Sequence, residues 1–361
     1  MNIKHLAIAA ILPLAALTAA CGTDDNTIGA NAAQSDNADG NAGPCATGSI
    51  SGAGATFPAT IIQQWIKDFG VQCPGANVNY QSVGSGAGIQ QFTAGTVDFG
   101  ASDVPMKPDE QAAAEAKHGP VLHIPWTAGG IAVEYNLAGV RNLQLSPATL
   151  AGIYAGTIKT WDDPAIKADN AGTTLPSTGI QVVHRSDGSG TTAVFTEYLT
   201  AVAPTVWTAG AAKDVKWPTG QGAKGSDGVT AAVKQTNGAI GYSEVSYAKG
   251  ANLGIVKIKN AAGNFVGPDA AAVSAALAAA EVGADLKLKV NYNPTAPDAY
   301  PISTTSYLLV AKTTPKAAMV KSFVLYAIGA GQFKADSLAY APLPATITTQ
   351  AKTAIESISA A

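Results

Sequence analysis

The segment RSDGSGTT, residues 185–192, constrains the fold of this chain more than any other part of its sequence. It follows the apolar run 180–183, which predicts a β-strand, and it leads into residues 193–199, which predict a helix. A Gly/Ser/Thr turn that opens a helix presents free backbone N–H groups and hydroxyls, and the helix dipole adds partial positive charge there. The segment therefore predicts either an anion site at the end of a strand or an ordinary connecting loop with a surface arginine.

Arg185 favours the anion site. The chain has only two arginines, Arg141 and Arg185, against twenty lysines. A guanidinium is a rigid fork of five donors, and it suits an oxyanion better than an ammonium group does. Asp187 lies two residues later, where its carboxylate can hold the arginine in place.

Residues 1–20 predict a signal peptide. The apolar run 6–17 follows a short polar start and is too short to span a bilayer as a mature helix. The sequence TAAC, residues 18–21, predicts lipid attachment at Cys21, and plain secretion after cleavage at the small residues is the alternative. Either route exports the chain from the cytoplasm, to the periplasm or the cell surface.

Residues 21–45 predict a flexible tether. This stretch is rich in Gly, Ala, Asn, Asp and Ser and cannot bury enough apolar surface to offset its ordering entropy. With Cys21 lipidated, Cys45 and Cys73 remain as an even pair in an oxidising compartment, which predicts a disulfide between them. Two buried free thiols are the alternative.

The folded body begins at about residue 46 and is long enough for two domains. Charged residues make up 13% of the chain, and its formal net charge is −3. A mildly acidic chain is a poor candidate for binding nucleic acid, so a bound anion must be attracted by local donors. We expect no cofactor, no metal ion and a monomeric protein.

Strand-like and helix-like segments alternate along the body, which predicts an α/β fold with mostly parallel strands. The predicted strands are 49–53, 78–83, 97–101, 121–124, 131–135, 180–183 and 307–310. The predicted helices are 59–69, 89–93, 147–154, 193–199, 227–235, 269–282 and 317–328.

Two further glycine-rich turns, 51–58 and 84–88, also follow predicted strands. Thr56 and Ser85 offer hydroxyls there, and the amides of Thr56 and Phe57 face outward at a predicted helix start. Ligands of α/β sheets bind at the carboxyl ends of strands. Three hydroxyl-bearing turns in one chain therefore favour a shared site, although each turn alone could be purely structural.

Asp103 follows a short apolar strand, and its carboxylate would repel a bound anion unless that anion carries a proton. Hydrogen phosphate carries one at pH 7, so its P–OH can donate to Asp103 while its other oxygens accept hydrogen bonds. Sulfate has no proton to give. A buried group that demands a partner can reject a wrong ligand by about four to five orders of magnitude. A turn cap is the alternative role for Asp103.

Six segments resemble the periplasmic phosphate-binding proteins of the phosphate ABC transporter, in the same order and over essentially the whole body. They are GAGATFP (52–58), VDFGASD (97–103), IYAGTIKTWDD (153–163), RSDGSGT (185–191), GAIGY (238–242) and YAPLP (340–344). The resemblance implies a two-lobed, type II-like periplasmic-binding-protein fold. Its ligand cleft would lie between lobe 1 (46–127 plus 305–361) and lobe 2 (128–304). It also implies inorganic phosphate as the ligand and ABC permease subunits as the partner.

The resemblance further implies a set of phosphate-binding residues, in which hydroxyls, two backbone N–H groups and Arg185 donate, Asp103 accepts, and Asp187 orients Arg185. The set is Thr56, Phe57, Ser85, Asp103, Arg185, Asp187, Ser189, Gly190 and Thr191. The two backbone donors are Phe57 and Gly190. Gly86 stands where many relatives carry a second serine, which predicts one fewer peripheral contact.

Three other functions remain open at this point: a hydrolase that uses Ser189 as nucleophile, a binding protein for another oxyanion or a phosphate ester, and a phosphate sensor or adhesin. The hydrolase is disfavoured because the body holds only three histidines, His118, His123 and His184. None of them falls in a recognisable triad or metal-ligand pattern.

Overall fold

The computed structural model describes residues 44–278 and 280–361. The predicted signal peptide, the predicted lipidation of Cys21 and residues 22–43 of the predicted tether lie outside this part of the chain. The described residues belong to one compact unit. None of the helices they form is both long enough and apolar enough to cross a membrane.

Strands and helices alternate along the described residues, as the sequence predicts. The strands are β1 (Gly48–Gly54), β2 (Ala76–Ser82), β3 (Phe99–Ser102), β4 (Val121–Asn136), β5 (Gln144–Leu145), β6 (Gln181–Arg185), β7 (Gln221–Ala223), β8 (Ala239–Glu244), β9 (Gly254–Ile255), β10 (Lys257–Lys259), β11 (Phe265–Val266), β12 (Glu281–Val282), β13 (Leu288–Lys289) and β14 (Ser303–Ala311).

Most of the helices pack against strands of the main sheet. The helices are α1 (Ala59–Gln72), α2 (Ser85–Ala94), α3 (Pro108–His118), α4 (Pro147–Tyr154), α5 (Pro164–Asp169), α6 (Gly190–Val202), α7 (Gly225–Gln235), α8 (Val245–Gly250), α9 (Ala270–Leu277), α10 (Ala317–Ile328) and α11 (Ala345–Glu356). Two short 3-10 helices, Ala330–Lys334 and Asp336–Leu338, lie between α10 and α11.

The main sheet has the strand order β2-β1-β3-β14-β4-β8-β6-β7, with β9 paired to β4. Its two ends are parallel, and we call β2-β1-β3 the first half-sheet and β8-β6-β7 the second half-sheet. In the centre, β14 is antiparallel to β3 and β4, and β4 is antiparallel to β8. The prediction of mostly parallel strands is therefore wrong for the centre, because local alternation identifies strands but not their neighbours.

Strand β4 joins the two half-sheets. Nine of its first ten residues pair with β14, with Trp126 left out of the register, and its last six pair with β8. The sequence predicts two separate strands here, because Pro125 and two glycines interrupt the apolar pattern. The register against β14 shifts beside Pro125, and this bulge lets the strand continue past a residue that cannot donate to the ladder.

The predicted lobe boundaries, at residues 127/128 and 304/305, fall inside β4 and β14. A boundary between lobes would therefore be crossed by two long, paired strands. The division into lobes stays a prediction.

Two predicted elements have different bounds in the structure. Helix α2 begins at Ser85, so the predicted turn 84–88 is mostly its first turn. A Cβ on Gly88 would lie 2.3 Å from the Cα of Gly54, so this glycine allows α2 to lie directly on β1. The predicted helix 269–282 ends at Leu277, because Glu281–Val282 pairs with β13 and this tertiary contact overrides the helical preference of the alanines.

The predicted disulfide is confirmed. Cys45 and Cys73 are bonded, with their Cα atoms 5.3 Å apart and a sequence separation of 28. Cys73 directly follows α1, and Cys45 precedes β1. The bond therefore ties the start of the folded body to the end of its first helix.

Replacing both Cys45 and Cys73 with serine is expected to lower the free energy of unfolding by about 3–4 kcal/mol, because the cross-link removes loop-closure entropy from the unfolded chain. Urea denaturation of the variant and the oxidised parent measures the difference. Reducing the parent should reproduce it, and a variant as stable as the oxidised parent would contradict the expectation.

Candidate anion-binding site

Four helices begin just after strands of the main sheet, and their first turns meet across it. They are α1, α2, α6 and α7, which follow β1, β2, β6 and β7. The hydroxyl oxygens of Thr56, before α1, and Ser226, in α7, are 2.8 Å apart. The backbone N–H of Gly190, in α6, donates to the hydroxyl of Ser85, in α2, at 3.0 Å. The carboxyl ends of strands from both half-sheets thus converge, as the sequence predicts.

Arg185 and Asp187 form a bidentate ion pair in this cluster. The Arg185 side chain is 1% exposed, and its Nε and Nη2 donate to the two carboxylate oxygens of Asp187 at 2.7 and 2.5 Å. Asp187 also accepts the N–H of Gly225, the first residue of α7, at 3.0 Å. Partial burial raises the pKa of Asp187, but the hydrogen bonds and charge of Arg185 outweigh it and hold the pKa below its ordinary value.

Asp103 lies in the same buried cluster and is 1% exposed. The hydroxyls of Ser306 and Thr191 donate to its two carboxylate oxygens at 2.9 and 3.2 Å. Burial raises the pKa of Asp103 to about 6, although the hydroxyl of Ser306, the charge of Arg185 and the contacts of Thr191 act against it. A carboxylate has about four acceptor positions, so Asp103 can accept further hydrogen bonds.

Ser189, Gly190 and Thr191 open helix α6 at the centre of the cluster. Ser189 caps the helix, because its hydroxyl accepts the N–H of Thr192 at 3.0 Å. A Cβ on Gly190 would lie 2.7 Å from the Ser85 hydroxyl oxygen and 2.8 Å from the Asp103 Cβ. Only glycine therefore lets the start of α6 approach the residues of the first half-sheet this closely.

The predicted site residues come together. Hydrogen bonds link Thr56 through Ser226 to Arg185, whose Nη1 lies 3.5 Å from the Ser226 hydroxyl oxygen. The side chain of Phe57 lies outside the polar cluster, because its ring packs against Tyr340 in the core, with the ring centroids 6.2 Å apart. The predicted set therefore forms one buried polar cluster lined by donors, with Asp103 as a buried acceptor.

Gly86 lies at a second close approach between the half-sheets. Its N–H donates to the carbonyl of Gly188 at 2.8 Å, and a Cβ on Gly86 would lie 3.2 Å from the Cα and the carbonyl oxygen of Gly188. A serine at this position would press against Gly188. This contact gives a physical reason for the glycine, which the sequence pattern marks only as a departure from many relatives.

Sequence reasoning missed three residues of the cluster. Ser226 had a signal, since Gly225-Ser226 follows a short strand and opens a helix like the other turns. Ser306 had none, because it lies inside the strand β14. Tyr242 supports the site from below: its hydroxyl oxygen accepts the N–H of Arg185 at 3.2 Å and lies 2.7 Å from the Thr192 hydroxyl oxygen.

The three histidines of the folded body make no hydrogen bond to a side chain of the cluster, although Nδ1 of His184 lies 3.0 Å from the carbonyl oxygen of Arg185. His123 accepts the N–H of Met106, His118 contacts the carbonyls of α2, and the ring of His184 stacks on Trp217 with the centroids 4.7 Å apart. Within residues 44–278 and 280–361, no group of three or more His, Cys, Asp and Glu side chains could hold a metal ion.

The fold is that of a PBP superfamily domain. Residues 39–330 match the PBP superfamily domain. A phosphate-bound crystal structure of a high-affinity periplasmic phosphate-binding protein, PfluDING, superimposes with a TM-score of 0.70 at 25% identity, covering 85% of this chain and 93% of that one.

Sequence relatives narrow the assignment. The chain is 38% identical to phosphate-binding protein PstS 3 of Mycobacterium tuberculosis over 99% of both chains. It is 43% identical to phosphate-binding protein PstS of Pasteurella multocida over 82% of this chain and 86% of that one. The chain therefore belongs to the PstS family of phosphate-binding proteins, and the two-lobed fold class that its sequence predicts is confirmed.

Burial of Asp103 predicts a pH-dependent stability in the absence of ligand. Its pKa is about 6 in the folded protein and 3.8 ordinarily, so the folded state binds its proton more tightly. The proton on Asp103 therefore stabilises the folded state at about pH 4 and below, and this stabilisation is lost as the pH rises through 6. Asp103→Asn cannot ionise, so its stability relative to the parent should rise by about 2 kcal/mol between pH 4 and pH 8.

Urea denaturation of phosphate-free protein at pH 4, 6 and 8 measures this difference. Asp298→Asn, at an exposed aspartate, is the matched control and should show no such trend. A stability difference between Asp103→Asn and the parent that does not change with pH would contradict the burial argument.

Proposed function

We propose that this chain binds inorganic phosphate between its two half-sheets, outside the cytoplasmic membrane, and delivers it to an ABC permease for uptake. The observation that carries the proposal is Asp103, a buried carboxylate acceptor that lies among donors, whereas the other carboxylate of the cluster, Asp187, is paired with Arg185. Hydrogen phosphate at pH 7 needs this combination, because it offers one O–H and several accepting oxygens.

The donors of the cluster match the remaining oxygens of phosphate. Arg185 is fixed by Asp187 and presents its remaining N–H groups to the cluster. In our proposal, Thr56, Ser85, Ser189 and Thr191 donate through hydroxyls, and Phe57 and Gly190 donate through backbone N–H groups. The N–H of Gly190 and the hydroxyl of Thr191, which donate to Ser85 and Asp103 in the structure, exchange these acceptors for phosphate oxygens. Ser226 is a further donor in this proposal, because its hydroxyl lies between the hydroxyl of Thr56 and the guanidinium of Arg185.

The number of donors is sufficient for tight binding. A hydrogen bond to a charged group contributes about 1.5–3 kcal/mol. Micromolar affinity requires about 8 kcal/mol, so several such bonds exceed it after the costs of association. The helix starts of α6 and α7 add positive potential at the same place.

The finer parts of the proposal rest on the sequence and the family. We infer a periplasmic or cell-surface protein, anchored through Cys21, that acts as a monomer and is not an enzyme. The site supports the last point, since none of the described histidines contacts Ser189 to activate it as a nucleophile. Phosphate binding needs neither a cofactor nor a metal ion.

Arg185→Ala should weaken phosphate binding more than loss of any single hydroxyl, by at least 100-fold, because it removes the fixed cation and leaves Asp187 to repel the anion. Calorimetry with inorganic phosphate measures the change. Arg141→Ala removes the other arginine, which is exposed, and should bind like the parent. Equal affinities of Arg185→Ala and the parent would refute the site.

Asp103→Asn should narrow the preference for phosphate over sulfate by at least 100-fold, because an amide can donate to an oxyanion that has no proton. The dissociation constants for phosphate and sulfate, measured side by side at pH 8, give the ratio, and Asp298→Asn is again the control. If the ratio stays as large as in the parent, Asp103 does not select phosphate by accepting a hydrogen bond from its P–OH group.

A further inference from the structure

Glu110 and Lys213, neither of which is a predicted site residue, form an ion pair. The ammonium group of Lys213 lies 2.6 and 2.5 Å from the two carboxylate oxygens of Glu110. The side chain of Lys213 is only 10% exposed, and that of Glu110 is 23% exposed. The pair is thus shielded from solvent far more than the ion pair Lys167–Asp162, whose side chains are 53% and 32% exposed.

Each partner is anchored to a segment of the phosphate cluster. The backbone carbonyl of Lys213 accepts the N–H of Ser189, the cap of α6, at 2.8 Å. Glu110 accepts the N–H of Lys107 at 2.9 Å, and Lys107 lies four residues after Asp103. The ion pair therefore joins the loop that carries Asp103 to the loop that supports Ser189.

The two loops belong to different halves of the sheet. Glu110 lies in α3, which follows β3 of the first half-sheet, and Lys213 lies between α6 and β7 of the second half-sheet. A cavity of about 430 Å³ lies at the same place and is lined by Asp103, Lys107 and Lys213 together with thirteen other residues. Lys213 thus borders the space beside Asp103, where the two halves face each other.

We propose that Glu110 and Lys213 are positioning residues that hold the two half-sheets together over bound phosphate and set the rate of its release. The inference rests on the proposed function. The pair can form only when the two loops are close, and phosphate draws together the same loops through Asp103 and Ser189. Because the pair and the ligand favour the same arrangement, each must stabilise the other.

Release of phosphate from single and double variants tests the proposal. Glu110→Gln, Lys213→Met and their combination are each expected to release phosphate about 10-fold faster than the parent, with less than a 2-fold change in association rate. The double variant should match the single variants, because each already removes the whole interaction. Lys213→Arg keeps the charge and should stay within about 3-fold of the parent.

Two comparisons separate positioning from a general loss of stability. Asp162→Asn and Lys167→Met break the exposed ion pair as matched controls and should leave the release rate unchanged. Thermal unfolding of the parent, the single variants and the double variant gives the coupling free energy between Glu110 and Lys213. This coupling free energy should be larger with saturating phosphate than without it. A pair that only stabilises the fold would give the same coupling in both conditions.

Stopped-flow measurement of phosphate release gives distinguishable failures. If the parent binds phosphate and all the Glu110 and Lys213 variants release it at the parent's rate, the positioning role is wrong and the proposed function stands. If the two single variants act additively in the double variant, the ion pair is not the source of the effect. If the parent does not bind phosphate, the proposed function fails and the positioning role fails with it.

Discussion

The buried guanidinium of Arg185 is the constraint on which the rest of the site depends. A cation with a 1% exposed side chain is stable only if a counter-charge and hydrogen bonds replace water. Asp187 supplies both, and it also accepts the first N–H of α7. Two residues of one loop therefore fix the end of β6 and the start of α7 relative to each other. The Arg185 guanidinium is therefore held in place by protein contacts alone.

Asp103 determines which oxyanions suit this arrangement. Donors alone would bind many oxyanions, whereas a buried acceptor among them favours an anion that still carries a proton. Burial raises the pKa of Asp103 to about 6, so at neutral pH it remains mostly an acceptor. The donors come from both half-sheets and Asp103 comes from the first, so hydrogen bonds within the cluster connect the two halves.

Glycine makes that convergence possible. Gly190 and Gly86 lie where backbone meets backbone across the site, and a Cβ at either position would press on the opposite half. The centre of the sheet provides a second connection, because the first part of β4 pairs with β14 and its last six residues pair with β8. The half-sheets are thereby connected by the paired strands β4 and β14 and by the polar contacts of the site.

The sequence by itself determined the local chemistry: Gly/Ser/Thr turns at the ends of strands, the rare arginine with its aspartate, the odd carboxylate of Asp103, and the cysteine pair. These follow from backbone preferences and side-chain types within a few residues, so they could be read without the fold. The antiparallel centre, the unbroken β4, and the roles of Ser226, Ser306 and the Glu110–Lys213 pair were decided only by the tertiary structure. Each depends on contacts between residues 100 or more positions apart along the chain or on the order of strands. No local pattern encodes such contacts, because their energy arises only when distant segments are packed together.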